Sequence, residues 1–283
     1  MKLFNLSRNL TLQVEPTNAC NLNCQICMRR NLERPISFLS FDNFKKILDS
    51  GDFRYVGLLG WGEPLLNKQL FEMVRYAELR DVSTNLTTNG TLLQENIANI
   101  LSSGLREIAF GIYDKEFFSE VMPQIEKLIE EKRKRNSERP KTYLDITIYD
   151  GNLEQIPELV RLAPELGIDA VILHRLFNVY KVDPSVKYIS DEEEEKLFAK
   201  LMQLASLLKL ELYLPPRHSF PCRIVKRSIF VTVEGKVTPC TYLPDLHLGD
   251  ALEQGVSKVM HSKAYTEFVK HMRNHPICSK CQW

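Results

Sequence analysis

Apolar residues along the chain fall into short blocks that switch between the strand period of two and the helix period of 3.6. Leu10-Thr11-Leu12-Gln13-Val14 alternates and predicts a strand. Phe41, Phe44, Ile47 and Leu48 follow at helical spacing, and Tyr55 to Leu59 is a short apolar strand closed by Gly60. An amphipathic helix over Leu70 to Leu79 leads to a strand over Val82 to Thr88, and Asn89-Gly90 turns into a helix over Leu92 to Leu101. The alternation continues with a strand at Glu107 to Ile112, a helix at Val121 to Arg133 and a strand at Tyr143 to Tyr149. A helix at Ile156 to Leu166 ends at Gly167 before a strand at Ala170 to Leu173. A longer helix begins near Ser190, where Ser190 and Glu193 have the spacing of a capping box. About six strand–helix repeats predict βαβ units on a parallel sheet.

Pro215-Pro216 ends this regime. Beyond it, Ile229 to Val233, Glu234-Gly235 and Lys236 to Thr238 read as a β-hairpin, and a helix is expected from about Lys258 to Met272. The chain therefore divides into 1–214, an α/β unit, and 215–283, a small segment with little core of its own.

Composition narrows the function. At 44% hydrophobic and 26% charged residues the chain has the makings of a core, which excludes global disorder. Lys+Arg is 37 against Asp+Glu 36, so no large field invites nucleic acid or an acidic membrane. No stretch approaches the ~20 apolar residues that span a bilayer, and the first eight residues lack the apolar core of a secretory signal. A cytoplasmic location is expected. There, seven cysteines call for an explanation other than structural disulfides.

They form two groups. Cys20, Cys24 and Cys27 make a C-x3-C-x2-C run just after the first strand; Cys222, Cys240, Cys278 and Cys281 lie beyond the prolines. Four thiolates close a tetrahedral zinc site or ligate every iron of a [4Fe–4S] cluster. Three leave one iron of a cubane without a protein ligand, open to amino and carboxylate donors.

The C-x3-C-x2-C run in this setting resembles the cluster motif of the radical S-adenosylmethionine (SAM) superfamily. Gly60-Trp61-Gly62-Glu63-Pro64 resembles that family's Gly-Gly-Glu-Pro segment, with Trp61 between the glycines, and Thr87-Thr88-Asn89-Gly90 resembles the turn after its third strand. The last four cysteines resemble a SPASM or twitch extension. The resemblance implies a partial (β/α)6 TIM-like barrel followed by a small β-hairpin-plus-helix domain. It implies that Cys20, Cys24 and Cys27 hold a catalytic [4Fe–4S] cluster, that the Gly60–Pro64 loop binds the SAM amino group, and that the terminal cysteines hold an auxiliary [4Fe–4S] cluster. SAM is then cleaved reductively to a 5′-deoxyadenosyl radical that abstracts hydrogen from the substrate.

Other positions are placed by the same argument. Glu63, at the carboxyl end of a strand, can accept hydrogen bonds or offset positive charge, or be a solvated loop carboxylate. Thr88 and Asn89 form either a SAM-facing turn or a plain strand-to-helix connection. Tyr113 and Asp114 end the fourth strand, where ribose contacts are expected, although the commoner serine is missing. His174 and Arg175 end the sixth strand on the same face, within reach of adenine, substrate or a SAM carboxylate, with a core histidine as the alternative for His174. The acidic run 191–195 reads as a solvated helix start.

Three functions fit. One is a radical SAM oxidase or maturase whose fully ligated auxiliary cluster takes the substrate's second electron. Another is a radical SAM enzyme with structural zinc at the terminal cysteines, and the third a non-catalytic iron–sulfur electron carrier. The Gly60–Pro64 loop speaks against the carrier, which needs no methionine pocket. A reducing partner such as flavodoxin or ferredoxin is implied. Because only a short lead-in precedes Cys20, no leader-gripping domain is expected, which favours a small metabolite, or a peptide delivered by a separate protein.

Overall fold

The computed structural model describes residues 10–180 and 183–282; the lead-in read above for a signal lies outside them. The strands form a ten-stranded sheet in the order β10-β9-β8-β1-β2-β3-β4-β5-β6-β7. Seven successive parallel strands of it are β1 (Leu10–Val14), β2 (Phe53–Leu58), β3 (Ser83–Thr88), β4 (Glu107–Ile112), β5 (Lys141–Ile148), β6 (Ala170–Arg175) and β7 (Glu211–Tyr213). Helices α1 (Phe41–Asp49), α2 (Leu70–Glu78), α3 (Leu93–Ser102), α4 (Lys115–Lys134), α5 (Ile156–Leu166) and α6 (Asp191–Leu208) connect them. Apolar side chains between sheet and helices form one core that includes Leu12, Val56, Leu86, Ile108, Leu144 and Val171. The other face of the same strands is different. Gln13, Tyr55, Asn85, Glu107, Asp145 and Tyr213 all line one cavity, so the sheet curls around it as a partial barrel.

Local chemistry explains where the elements start and stop. Ser40 caps α1 by accepting from the Asn43 amide at 3.2 Å, and the Ser190–Glu193 capping box opens α6. Helix α4 begins at Lys115, earlier than the apolar pattern suggested, because Asp114 caps it by accepting from the Phe117 amide at 2.8 Å.

The hairpin forms as expected from β8 (Ser228–Val231) and β9 (Lys236–Thr238), with Gly235 at φ +83° in the turn. It does not stand apart, however. Strand β8 pairs in parallel with β1, so the terminal segment extends the barrel sheet, and β10 (Gly249–Asp250) pairs with β9. The short α7 (Arg223–Arg227) precedes β8. The helix expected over Lys258 to Met272 is two helices, α8 (Val256–Met260) and α9 (Lys263–His271). Ser262 breaks it, its hydroxyl capping the second helix by accepting from the Tyr265 amide at 3.2 Å. Among the described residues no helix is long and apolar enough to cross a membrane.

Candidate active site

The chain leaving β1 makes a loop closed at its base by a bridge between Thr17 and Phe38. Thr17 donates to the Ser37 carbonyl at 2.7 Å, and Asn18 both donates to the Pro35 carbonyl and accepts from the Ser37 amide. Within this frame lie Cys20, Cys24 and Cys27, all half-buried. The Cys27 amide donates to the Cys24 carbonyl at 3.1 Å, and the Arg29 guanidinium donates to the Leu22 carbonyl at 2.7 Å. Burial, reinforced by the neighbouring Cys27 and Cys20 thiols, pushes Cys24 up to about 11. Burial likewise raises Cys27. Each thiol thus feels its neighbours in this loop, and as thiolates they would repel unless iron offset their charge.

The second group is drawn from distant parts of the chain, and its thiols act on one another. Burial pushes Cys278 up to about 11, with Cys281 and Cys222 adding to the shift. Cys240 is raised chiefly by burial and further by Cys278, Cys222 and Cys281. The donor chemistry of both sets, all sulfur, fits iron–sulfur ligation. Among the described residues no group of three His, Cys, Asp or Glu side chains is gathered closely enough for a single metal ion.

A cavity of about 560 Å3 fills the barrel and touches both sets, with Cys27 and Cys240 in its wall. Gly60 and Trp61 line it, as do Tyr113, His174 and Arg175. His174 Nε2 lies 3.3 Å from Asp145 Oδ1. Burial raises the Asp145 pKa, and the His174 charge opposes that rise. Lower in the barrel the Tyr55 and Tyr143 hydroxyls both donate to Glu107.

Several expected site residues are engaged elsewhere. Glu63 is 1% exposed, and its carboxylate accepts from the Leu65 amide at 3.0 Å, the Thr88 hydroxyl at 2.8 Å and the Asn89 amide at 2.8 Å. It ties the loop after β2 to the turn after β3, so Thr88 and Asn89 are positioned through it. Asn89 Nδ2 then lies 3.9 Å from Cys20 Sγ and 3.0 Å from Asn21 Oδ1. Asp114 is spent on its cap, and the Arg175 guanidinium pairs with Glu194 at 2.6 and 2.7 Å while donating to the Pro215 and Pro216 carbonyls. Gly62 has a steric reason that was not foreseen. A Cβ there would sit 2.2 Å from the Thr17 carbonyl oxygen and 2.5 Å from that of Ala19, while the Glu63 amide donates to Ala19 at 2.8 Å. The glycine lets the loop press directly on the cysteine loop.

Asp145, Glu107 and Tyr242 were not singled out from the sequence. The first was accessible: in Tyr143-Leu144-Asp145-Ile146-Thr147 the polar residues share one face of a strand whose other face is core, which marks the interior of a barrel. Tyr242, stacked on Phe177 with ring centroids 4.0 Å apart, carries no such signal.

Residues 14–181 match the profile of the Radical SAM superfamily, and residues 222–282 that of SPASM, an iron–sulfur cluster-binding domain. The chain is 24% identical to the tungsten-containing aldehyde ferredoxin oxidoreductase cofactor-modifying protein of Pyrococcus furiosus, over 95% of this chain and 86% of that protein. It is 27% identical to the AdoMet-dependent heme synthase of Methanosarcina barkeri, over 85% and 78% respectively. Among solved structures, Streptococcus suis SuiB bound to S-adenosylmethionine superposes with a TM-score of 0.77 at 18% identity, covering 93% of this chain and 68% of that one. SuiB has also been solved bound to its precursor peptide SuiA.

Proposed function

Because the chain belongs to the radical SAM superfamily and carries a SPASM segment, we propose that it cleaves SAM reductively and oxidises a small metabolite, or one residue of a peptide, inside the barrel. The observation that carries this reading is one cavity lined by both Cys27 and Cys240. A substrate seated there lies between the two cysteine sets. When bound, the first cluster with SAM would supply a hydrogen-abstracting oxidant and the second an electron acceptor.

The residues of the chain supply the rest. Cys20, Cys24 and Cys27 hold the first cluster, and Cys222, Cys240, Cys278 and Cys281 the second, on the functional division 1–214 and 215–283. The Gly60-Trp61 backbone, at the carboxyl edge of the sheet where βα barrels build their sites, would hold the amino-acid end of SAM. Glu63 holds the turn at Thr88 and Asn89 against the cysteine loop, and Tyr113, in the cavity wall, would hold the ribose. Net two-electron oxidation also releases a proton. The Asp145 carboxylate, facing the cavity beside His174, is placed to take it. Trp61, Tyr242 and Phe177 give the cavity an aromatic wall.

The volume suits one drug-sized molecule or one inserted side chain. Relatives act on both scales: one is named for modifying a cofactor and another for heme synthesis, while SuiB has been solved with a peptide. A flavodoxin or ferredoxin supplies the first electron. The test is 5′-deoxyadenosine formation by anaerobically reconstituted protein under dithionite. Parent protein should form it and the Cys24→Ala variant should not; equal formation by both would refute the reading.

A further inference from the structure

Glu15, the residue after β1, is fully buried and belongs to neither cysteine set. Its Oε2 accepts from Arg34 Nη2 at 2.6 Å and from the Val233 amide at 3.1 Å. Its Oε1 accepts from Arg34 Nη1 at 3.3 Å and from the Trp61 amide at 3.2 Å. One carboxylate thus gathers the chain behind the first cysteine loop, the loop after β2 and the terminal hairpin. Arg34 also reaches Glu234 Oε2 in the hairpin turn at 2.5 Å. A buried charge is tolerated only while such donors stay in place, so displacing one segment is felt by the others.

Trp61 makes a second connection between the same regions. Its indole Nε1 donates to the Thr241 carbonyl at 2.9 Å, one residue beyond Cys240, and its ring meets Tyr242 edge-on at 5.9 Å. Its backbone is held by Glu15 and its side chain by the segment bearing the second cysteine set. Gly60 packs against the Glu15 stem so closely that a Cβ would lie 2.6 Å from Glu15 Cγ.

From this geometry we propose that Glu15 and Trp61 are positioning residues that couple the two sites: SAM on the Gly60–Gly62 backbone and the metal-loaded four-cysteine segment stabilise each other. The inference rests on the SAM-binding reading above. Coupling of this kind is reciprocal. SAM should order the terminal segment, and emptying the terminal site should weaken SAM.

The test is a double-mutant cycle on anaerobically reconstituted protein with its first cluster loaded, read by calorimetric SAM affinity and by amide hydrogen exchange. In the parent background, Cys278→Ala/Cys281→Ala should weaken SAM about tenfold, a typical coupling between sites. In the Glu15→Gln background the same change should cost less than about twofold, because the link is already broken. SAM should slow exchange over residues 233–243 in the parent but not in Glu15→Gln. If Glu15→Gln does not fold, Trp61→Phe, which removes the indole donor to Thr241 and trims the ring set against Tyr242, should reduce the coupling partially. Equal SAM affinity with the second site full or empty overturns the coupling and leaves the proposed function standing. A parent that does not bind SAM overturns both.

Discussion

The two cysteine sets differ in how much structure each needs before it exists. Cys20, Cys24 and Cys27 share one short loop, and its frame is built from side chain–backbone hydrogen bonds at Thr17 and Asn18 and from the pressure of Gly62. Cys222, Cys240, Cys278 and Cys281 come from scattered positions, joined by a hairpin that borrows the barrel's β1 edge and by two short helices. The first set is a local motif on a rigid strand end. The second is a tertiary assembly whose outer half, through Val256, Val259, Tyr265 and Met272, packs into the same core as the barrel. Sites of the first kind are legible as a pattern, whereas sites of the second kind become definite only in the fold.

The largest expected effect separates the sets outright. Cys24→Ala should abolish SAM cleavage while the terminal site keeps its metal; loss of both metals together would show that the sites assemble as one. Gly62→Ala should come next, since the added methyl has no room against two backbone carbonyls. We expect a destabilisation of about 1–3 kcal/mol by denaturant titration, with iron lost from the first site and retained in the second. Cys278→Ala/Cys281→Ala should still cleave SAM but give much less oxidised product for each 5′-deoxyadenosine formed. Limited proteolysis of this variant should cut beyond Thr241 and spare β8, which remains paired with β1.

Much of this was legible in the residues and some was not, for physical reasons. Strand β4 and helix α5 match their expected limits, because each is a clean apolar period with a polar or glycine stop. Strand β7 was missed: three residues, Glu211 to Tyr213, are too few to display a period. The pairing of β8 with β1 is a contact between distant chain segments that no local pattern encodes. Cys20, Cys24 and Cys27 carry their chemistry in their spacing. Arg175 and Asp114, by contrast, have the right types for a ligand site; the partner of Arg175, Glu194, is visible only in three dimensions, whereas the cap that engages Asp114 is a local one, three residues on, hidden because the first turn of α4 lacks an apolar period.

Smaller effects sharpen the contrast further. Product formation should rise with pH through a limb lying above the usual carboxylate range, because burial raises Asp145 and only its ionised form accepts a proton. Asp145→Asn should remove that limb while leaving SAM affinity close to the parent's, measured as a pH–rate profile beside a binding isotherm. Glu63→Gln should cost about 1–3 kcal/mol, since the amide cannot accept all three donors that the carboxylate satisfies. Lys196→Ala, which breaks only an exposed ion pair with Glu192, should change stability by less than about 0.5 kcal/mol.

The central claim is that both sets hold iron–sulfur clusters and that the second is a redox centre. It is tested most directly by metal analysis of protein purified and reconstituted without oxygen, with Mössbauer spectroscopy on the same sample. About eight irons per chain and no zinc are predicted, with the Cys278→Ala/Cys281→Ala variant keeping about four. About four irons and one zinc in the parent would contradict the claim, leaving a radical SAM enzyme with a structural terminal site and no electron sink beside its cavity.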